Sequence, residues 1–210
     1  MDYFFKDVDQ EIFAWDWFKP SAVSQRSLKS IKYFIDKSEL LEAGFYNHSA
    51  DEDLVNEDFN SFEDIRSTKI AWLSDGHNMP DILKSVYEEL TTLSRSVNDH
   101  LWKYCIEGWE SFQYAEYRSE ERGHYNWHVD TTPRFNGGNV RKLTFVVGLS
   151  HKHEYDGGEL QLRHMPEPVK FKLGKGDFVI FPSFLLHRVT PVTRGVRKTL
   201  VGWGRGPNFV

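Results

Sequence analysis

The sequence predicts an α+β fold, in which a double-stranded β-helix (a jelly roll) is braced by N-terminal helices within a single domain spanning residues 1–210. Two observations carry this prediction. Before about residue 110, two stretches repeat apolar residues every three or four positions, which indicates amphipathic helices. From about residue 111 to 206, short runs rich in Val, Phe, Tyr and Thr alternate with glycine-containing turns, a pattern typical of double-sheet barrels.

The predicted helical support lies mainly in residues 1–110. One helix is predicted within residues 20–38, and a second within residues 78–102, where Pro80 lies near the helix start. The apolar stripe of the first consists of Val23, Leu28, Ile31, Phe34 and Ile35, and that of the second of Ile82, Val86, Leu90, Leu93, Val97 and Leu101. The acidic segment 51–64 between them is predicted to be a solvated connection; the alternative is that it borders a substrate groove.

The predicted jelly-roll core, about residues 111–206, contains eight candidate strands. Turn signals separate them, among them the sequences FNGGN, YDGG and GKGD. The candidate strands cover residues 111–117, 125–130, 142–150, 158–163, 169–173, 177–181, 187–192 and 196–203.

Charge and composition limit the classes of partner and location. The formal net charge of −5 argues against nucleic acid as a partner, since phosphate binding relies on a basic surface. No apolar run is long enough to span a membrane, and the first residues lack the pattern of a signal peptide. The single cysteine, Cys105, cannot form an internal disulfide and is predicted to be a small buried apolar residue. We therefore expect a cytoplasmic protein without a membrane partner; the oligomeric state stays open.

A histidine and an aspartate lie two positions apart in the candidate strand 125–130. His128 and Asp130 should project from the same face of this strand, because side chains alternate along a strand. The pair alone is weak evidence for a metal site. His187, on a later candidate strand, would complete a set of two histidines and one carboxylate, an arrangement suited to non-haem Fe(II) that also binds a cosubstrate and O2.

Arg197 follows His187 on the last candidate strand, which would run back through the barrel. An arginine kept inside a barrel needs an anionic partner, and a dicarboxylate such as 2-oxoglutarate would supply one. Two neighbouring basic residues are alternatives to Arg197. Arg194 is expected in the turn TRG, and Lys198 has the opposite strand parity, so Arg197 is favoured.

Four stretches of the sequence resemble the Fe(II)/2-oxoglutarate-dependent dioxygenases, and specifically the prolyl 4-hydroxylase-like branch with its PKHD-type relatives. They are YRSEERGHYNWHVD, LTFVVGLSHKHEYDGGELQL, KGDFVIFPSFLLHRVTPVTRGVRKTLVGW and, more loosely, DIRSTKIAWLSD, and they span about residues 64–204. The segment LHRVTPVTRGVRKTLVGW is the most specific of the four.

The resemblance implies roles for individual residues. It makes His128, Asp130 and His187 the iron ligands and Arg197 the partner of the distal carboxylate of 2-oxoglutarate. Tyr117 is expected to line the cosubstrate pocket, and Trp203 to lie near the substrate side; each of these two aromatics could instead be a core residue. A second hydrogen bond to the 2-oxoglutarate tail is unassigned, with Thr199 and Tyr117 as candidates.

The resemblance also implies an activity. The chain is expected to use Fe(II), 2-oxoglutarate and O2, with ascorbate as the reductant, to hydroxylate an unactivated C–H bond. A prolyl residue in a peptide or protein, hydroxylated at C4, is the favoured target, and the acidic balance would suit a basic protein partner. Trp127, Trp203 or the loop 131–141 could grip the proline ring, although this loop could equally be a plain surface loop.

Three alternatives stay open. The substrate could be a free amino acid or another small molecule. The chain could be a non-enzymatic jelly-roll binding module with a degenerate site. A competing metal motif, His151 and His153 followed by Glu159, faintly resembles a cupin signature, although turn residues intervene and no late histidine except His187 would complete it.

Overall fold

The computed structural model describes residues 14–43, 65–74, 79–131 and 138–209. Two α-helices lie in the described part, α1 (Gln25–Ile35) and α2 (Asp81–Leu101). The strands are β1 Trp17–Lys19, β2 Leu41–Glu42, β3 Arg66–Ser67, β4 Lys69–Trp72, β5 Gly108–Trp109, β6 Gln113–Arg118, β7 His124–His128, β8 Val140–Gly148, β9 Tyr155–Gly157, β10 Leu160–Arg163, β11 Val169–Phe171, β12 Phe178–Pro182, β13 Leu186–Val189 and β14 Val192–Gly206.

The strands form two facing sheets. The larger sheet has the order β1-β12-β8-β14-β6-β4-β2, and β5 and β9 also pair with β14. The smaller sheet has the order β11-β10-β13-β7-β3. Sequence neighbours are distributed between the two sheets, as in a jelly roll, so strands that are distant in sequence lie side by side. The jelly-roll prediction is confirmed, and the acidic segment 51–64 lies outside the described residues.

Both helices pack against the outer face of the larger sheet. Their apolar side chains share one buried cluster with outward-facing residues of the sheet, among them Leu143, Phe145 and Leu200. Ser24 caps α1, because its side chain accepts a hydrogen bond from the backbone N–H of Ser27. The buried stripe of α2 differs from the predicted one at both ends: Leu83 is buried in place of Ile82, and both Ile82 and Leu101 are exposed.

The central strand β14 separates the helix-facing core from the barrel interior. Its neighbour β8 is buried along almost its whole length, since one face meets the helices and the other faces the barrel. Along β14, side-chain alternation directs Leu200 towards the helices, whereas Arg197, Thr199, Val201 and Trp203 line the barrel cavity.

Two register shifts interrupt this alternation near the site. His187 pairs with His128 and Val189 pairs with Tyr125, so β7 has one extra residue opposite β13. Gly204 pairs with Leu143 and Arg205 with Arg141, so β8 has one extra residue opposite β14. Each bulge allows two side chains three positions apart to face the same side of the sheet.

Three local predictions are corrected by the structure. The sequence YDGG is not simply a turn, because Tyr155–Gly157 forms β9 and pairs with β14. Arg194 lies within β14 rather than in a turn, and its Nε donates a hydrogen bond to Asp156 Oδ2 at 2.6 Å. Cys105 is exposed rather than buried. Within the described residues, no helix has both the length and the apolar character needed to cross a bilayer.

Candidate metal and cosubstrate site

The three predicted ligand residues meet inside the barrel. His128 and His187 lie opposite each other on the paired strands β7 and β13, and Asp130 follows the end of β7. One ligand atom from each of the three lies within 4.8 Å of the others. Asp130 Oδ1 is 3.7 Å from His128 Nε2, and Asp130 Oδ2 is 3.4 Å from His187 Nε2. Among the described residues, this is the one cluster of such ligands that could hold a metal ion.

Both imidazoles are oriented for metal binding. His128 Nδ1 lies 2.7 Å from the carbonyl oxygen of Asn126, and His187 Nδ1 lies 2.7 Å from that of Leu185. A carbonyl oxygen can only accept, so each Nδ1 carries the proton and donates. This tautomer leaves the lone pair of each Nε2 directed towards the space shared with Asp130, where a metal ligand is needed.

The electrostatics also suit a cation at this place. Burial, with a further contribution from His187, lowers the pKa of His128 to about 4. Burial alone would raise the pKa of Asp130, but His187, His128 and Arg141 outweigh it, and this pKa lies well below its usual range. At neutral pH the site therefore offers a neutral imidazole at His128 and a carboxylate at Asp130, which are the forms that bind a metal ion.

Two hydrogen bonds fix the carboxylate of Asp130. Thr144 Oγ1 donates to Asp130 Oδ2 at 2.7 Å, and Trp203 Nε1 donates to the same oxygen at 2.9 Å. Thr144 on β8 pairs with Trp203 on β14, so two neighbouring residues of the larger sheet orient the carboxylate of Asp130. Asp130 itself follows β7, a strand of the smaller sheet. Outer partners of this kind orient metal ligands and tune their affinity.

Replacing Trp203 with Phe should weaken metal binding. The variant retains an aromatic ring beside Arg141, whose guanidinium carbon lies 3.9 Å from the ring centroid of Trp203, but it loses the N–H donor to Asp130. We expect metal affinity, measured by titration with Mn(II), to fall about 10- to 100-fold. Trp109→Phe is the control, because Trp109 Nε1 is buried without a hydrogen-bond partner in the described ranges. Equal effects of the two substitutions would contradict a role for the Trp203 hydrogen bond.

Arg197 lies at the other end of the cavity and is only 2% exposed. Its guanidinium carbon lies 5.0 Å from the ring centroid of Tyr117, and NH1 contacts Thr199 Oγ1 at a long 3.4 Å. Nε is buried and has no hydrogen-bond partner among the residues that the structure describes. A buried guanidinium without a carboxylate is costly, so the arrangement fits an anionic ligand such as the distal carboxylate of 2-oxoglutarate.

A glycine leaves room for the side chain of Arg197. Gly158 has φ +59, and a Cβ at this position would lie 2.8 Å from Arg197 Cδ and 3.0 Å from Val192 Cγ2. Gly158→Ala should therefore displace Arg197 and destabilise the protein by about 1–3 kcal/mol, the usual cost of overpacking. Binding of 2-oxoglutarate, measured by calorimetry, should weaken as well.

Gly138→Ala provides the control for this substitution. Gly138 also has a positive φ, +128, but no described residue lies within 4 Å of a Cβ added there. Backbone strain therefore affects both variants, and only Gly158→Ala should affect 2-oxoglutarate binding. Unchanged binding in Gly158→Ala would show that Arg197 does not depend on this glycine.

One cavity of about 570 Å³ joins the triad to Arg197. Of the predicted site residues, it brings together His128, Asp130, His187, Arg197, Tyr117, Thr199 and Trp203. Apolar side chains from both sheets, including Val146, Leu160 and Val201, complete its walls. The predicted loop 131–141 lies mostly outside the described residues.

Trp127 is not brought to the cavity. It lies on the opposite face of β7 from His128, and its ring centroid is 4.6 Å from the guanidinium carbon of Arg188 and 5.7 Å from that of Arg163. Side-chain alternation between positions 127 and 128 could have predicted this. His151 and His153 stack on each other with ring centroids 5.5 Å apart, and they form no ligand cluster with Glu159 in the described part of the chain.

Sequence reasoning missed several cavity residues. Tyr125 stacks on His128 with ring centroids 3.5 Å apart, and the guanidinium carbon of Arg66 lies over the Tyr125 ring, 4.6 Å from its centroid. Arg141 packs over Trp203 and forms a two-bond pair with Glu110, at 2.8 and 2.6 Å. Tyr125 and Arg66 lie in stretches that resemble the family, and Arg141 ends the predicted loop 131–141, but none of the three was assigned a role.

Comparisons with known proteins agree with this geometry. Residues 112–205 match the model of the 2OG-Fe(II) oxygenase superfamily. A PKHD-type hydroxylase of Prochlorococcus marinus (strain MIT 9301) is 40% identical over 86 residues, which is 41% of this chain and 38% of the relative. A PKHD-type hydroxylase of Hyphomonas neptunium is 43% identical over 88 residues, 40% of this chain and 39% of the relative. The chain thus spans well under half the length of these curated relatives.

Two solved structures share the fold. A Pseudomonas putida prolyl-4-hydroxylase superposes with a TM-score of 0.67 at 20% identity, covering 94% of this chain and 95% of that one. A Trichoplax adhaerens prolyl hydroxylase, in complex with a hypoxia inducible factor oxygen degradation domain peptide fragment, gives a TM-score of 0.69 at 20% identity, covering 93% and 85%. The resemblance seen in the sequence is confirmed: residues 112–205 carry the 2OG-Fe(II) oxygenase pattern, on a prolyl hydroxylase-like fold.

Proposed function

From the superfamily match of residues 112–205, we propose that this chain is an Fe(II)- and 2-oxoglutarate-dependent dioxygenase acting as a single domain. One observation carries the proposal. A cluster of two histidines and an aspartate shares a cavity with Arg197, a buried cation that has no carboxylate partner in the described residues. The cluster has the ligand types that bind non-haem Fe(II). Arg197 has the chemistry to bind the distal carboxylate of a keto diacid.

The residues of the chain have distinct tasks in this reaction. Bound Fe(II) and 2-oxoglutarate supply the oxidising chemistry, in which O2 is consumed, 2-oxoglutarate becomes succinate and CO2, and one oxygen atom enters a C–H bond. His128, Asp130 and His187 hold the iron, while Arg197 binds the distal carboxylate and Thr199 or Tyr117 donates a second hydrogen bond to it. The apolar side chains of the cavity, such as Val146 and Val201, exclude water from the reacting atoms.

The favoured substrate is a prolyl residue in a peptide or protein, hydroxylated at C4. Its support is the likeness to solved prolyl hydroxylases, one of which holds a peptide fragment. Two aromatic side chains line the cavity, Trp72 and Trp203, with ring centroids 6.2 Å apart. Trp72 is 39% exposed and could contact a proline ring that enters from outside. The net charge of −5 suits a basic protein partner.

The proposal can be tested on the full chain purified without metal. The protein is supplied with Fe(II), ascorbate, 2-oxoglutarate and O2, and a panel of proline-containing peptides is added. We expect succinate formation that depends on 2-oxoglutarate, and a peptide product heavier by one oxygen atom in mass spectrometry, located at C4 by fragmentation and amino-acid analysis. Hydroxylation of other compounds but of no prolyl peptide would refute the prolyl substrate, and absence of any succinate would refute the oxygenase.

A second candidate is hydroxylation of a free amino acid or another small molecule by the same site. A cavity of about 570 Å³ lies within the usual range for small-molecule pockets, so its size allows this. The non-enzymatic binding module is disfavoured, because all four predicted residues with ligand chemistry line one cavity.

A further inference from the structure

The cavity contains a cation that the proposed reaction does not use. Arg66 lies on β3 and lines the wall of the cavity beside Gln113 and Tyr125. Its NH2 donates to Gln113 Oε1 at 3.1 Å, and its guanidinium carbon lies 4.6 Å from the ring centroid of Tyr125. Its Nε is buried without a hydrogen-bond partner in the described part of the protein. Gln113 and Tyr125, its partners among the described residues, are neutral and do not balance its charge.

The other cavity arginines differ from Arg66 in this respect. Arg141 is neutralised by Glu110, whose two carboxylate oxygens accept hydrogen bonds at 2.8 and 2.6 Å. Arg197 is assigned to the distal carboxylate of 2-oxoglutarate by the proposed function. Glu42 also lines the cavity, but its ion pair is with Lys69, at 3.4 Å. Within the described ranges, no carboxylate lies within ion-pairing distance of Arg66.

The position of Arg66 places its charge close to the metal ligands. The Tyr125 ring stacks on His128 with ring centroids 3.5 Å apart, and the Arg66 guanidinium lies over that tyrosine ring. A group bound to Arg66 would therefore lie about one aromatic ring away from a ligand of the iron. This is the part of the cavity that a substrate, rather than the distal end of the cosubstrate, would occupy, because Arg197 lies at the opposite end on β14.

We propose that Arg66 binds a carboxylate of the substrate, close to the carbon that is hydroxylated. This inference rests on the proposed function and narrows its substrate class. A planar guanidinium binds a carboxylate through paired hydrogen bonds, and a partly desolvated cation such as Arg66, for which the described residues supply no counter-charge, gains most from such a partner. The carboxylate has two sources: an acidic side chain beside the target residue of a peptide, or the α-carboxylate of a terminal or free amino acid.

Matched substrates distinguish the two sources. Acetyl-Gly-Pro-Asp-amide is compared with acetyl-Gly-Pro-Asn-amide, and acetyl-Gly-Pro as the free acid is compared with its amide. Turnover is followed by mass spectrometry, and binding is measured by calorimetry with Mn(II) and 2-oxoglutarate present. We expect the Kd of one of the two acids to be lower than that of its uncharged counterpart by a factor of about ten or more. The uncharged compound lacks the charge-assisted hydrogen bonds to Arg66, and their loss has an effect of this size.

A matched arginine controls for the general effect of removing a cation. Arg188 also stacks over an aromatic ring at 4.6 Å and donates to a glutamine, Gln161, but it lies on the outer face of its strand beside Trp127. Arg66→Gln should abolish the preference for the acid, Arg66→Lys should retain part of it, and Arg188→Gln should leave it unchanged. Succinate formed without a peptide checks that the Arg66 variants still bind iron and 2-oxoglutarate.

Each result decides the inference. Equal binding of acid and uncharged forms by the unmodified protein would overturn it, and so would a preference that survives in Arg66→Gln. If no prolyl compound is turned over but the acid still binds more tightly through Arg66, the prolyl substrate fails and the carboxylate site stands. If turnover occurs without any preference, the proposed function stands and the role of Arg66 is refuted.

Discussion

We expect the His187→Ala variant to lose turnover by more than about 100-fold and to lose most of its metal affinity. Loss of an outer partner of a metal ligand costs about 10- to 100-fold, and loss of a ligand itself should exceed that. His187 supplies one of three ligands and has a side chain that is almost completely buried, and its Nδ1 donates to the carbonyl oxygen of Leu185, just before β13. Metal content after reconstitution with Fe(II), and succinate formation, are the measurements.

Two controls separate loss of a ligand from loss of structure. His151→Ala removes an exposed imidazole that stacks on His153 and should leave metal content and turnover unchanged. Circular dichroism should show that His187→Ala keeps its β-sheet signal, because β13 still pairs on both sides, with β10 and with β7. Full iron content in a folded His187→Ala protein would refute the assigned ligand set.

The second large effect is expected from Arg197→Gln. Removing a buried group that pairs with a charge of the ligand weakens the binding free energy by about 2 kcal/mol or more. The KM for 2-oxoglutarate should therefore rise about 30-fold or more. The protein without cosubstrate should be as stable as the unmodified protein or more so, since the substitution removes an uncompensated buried cation. Binding of 2-oxoglutarate should raise the melting temperature of the unmodified protein and not of the variant.

Lys198→Gln is the control for Arg197→Gln on the same strand. Lys198 points away from the cavity, towards Glu116 at 3.9 Å, and its side chain is 46% exposed. This substitution should leave the KM for 2-oxoglutarate unchanged. A large rise in KM in Lys198→Gln, or none in Arg197→Gln, would show that the wrong basic residue has been assigned to the cosubstrate.

The sequence predicted the parts of the site that regular strand geometry determines. His128 and Asp130 were assigned one face by their spacing, and both line the cavity although β7 ends at His128 and Asp130 lies beyond it. Arg197 was separated from Lys198 by strand parity, which the structure reproduces. The same rule, applied to Trp127, would have placed it on the outer face. Regular alternation therefore predicts inward side chains well as long as the strand is uninterrupted.

The missed residues lie where alternation fails. Tyr125 and His128 face the cavity three positions apart because of the bulge in β7, and Arg141 and Thr144 do so because of the bulge in β8. A bulge depends on the partner strand as well as on local sequence, so periodicity within one strand does not reveal it. The short strands β2, β3 and β4 were missed for a related reason, since runs of two to four residues are too short to establish a period.

The long strand β14 determines the distance between Arg197, at the cosubstrate end of the cavity, and Trp203, which contacts the ligand Asp130. It carries Arg197, Thr199, Val201 and Trp203 at alternate positions, so each step between them along the cavity is about 6.5 Å. Inserting or deleting one residue between Arg197 and Trp203 would turn one end of this series outward. A site for a keto acid of another length therefore requires exchanged side chains, or an insertion or deletion of two residues in this segment. Active variants of this chain should carry no insertion or deletion of a single residue between Arg197 and Trp203.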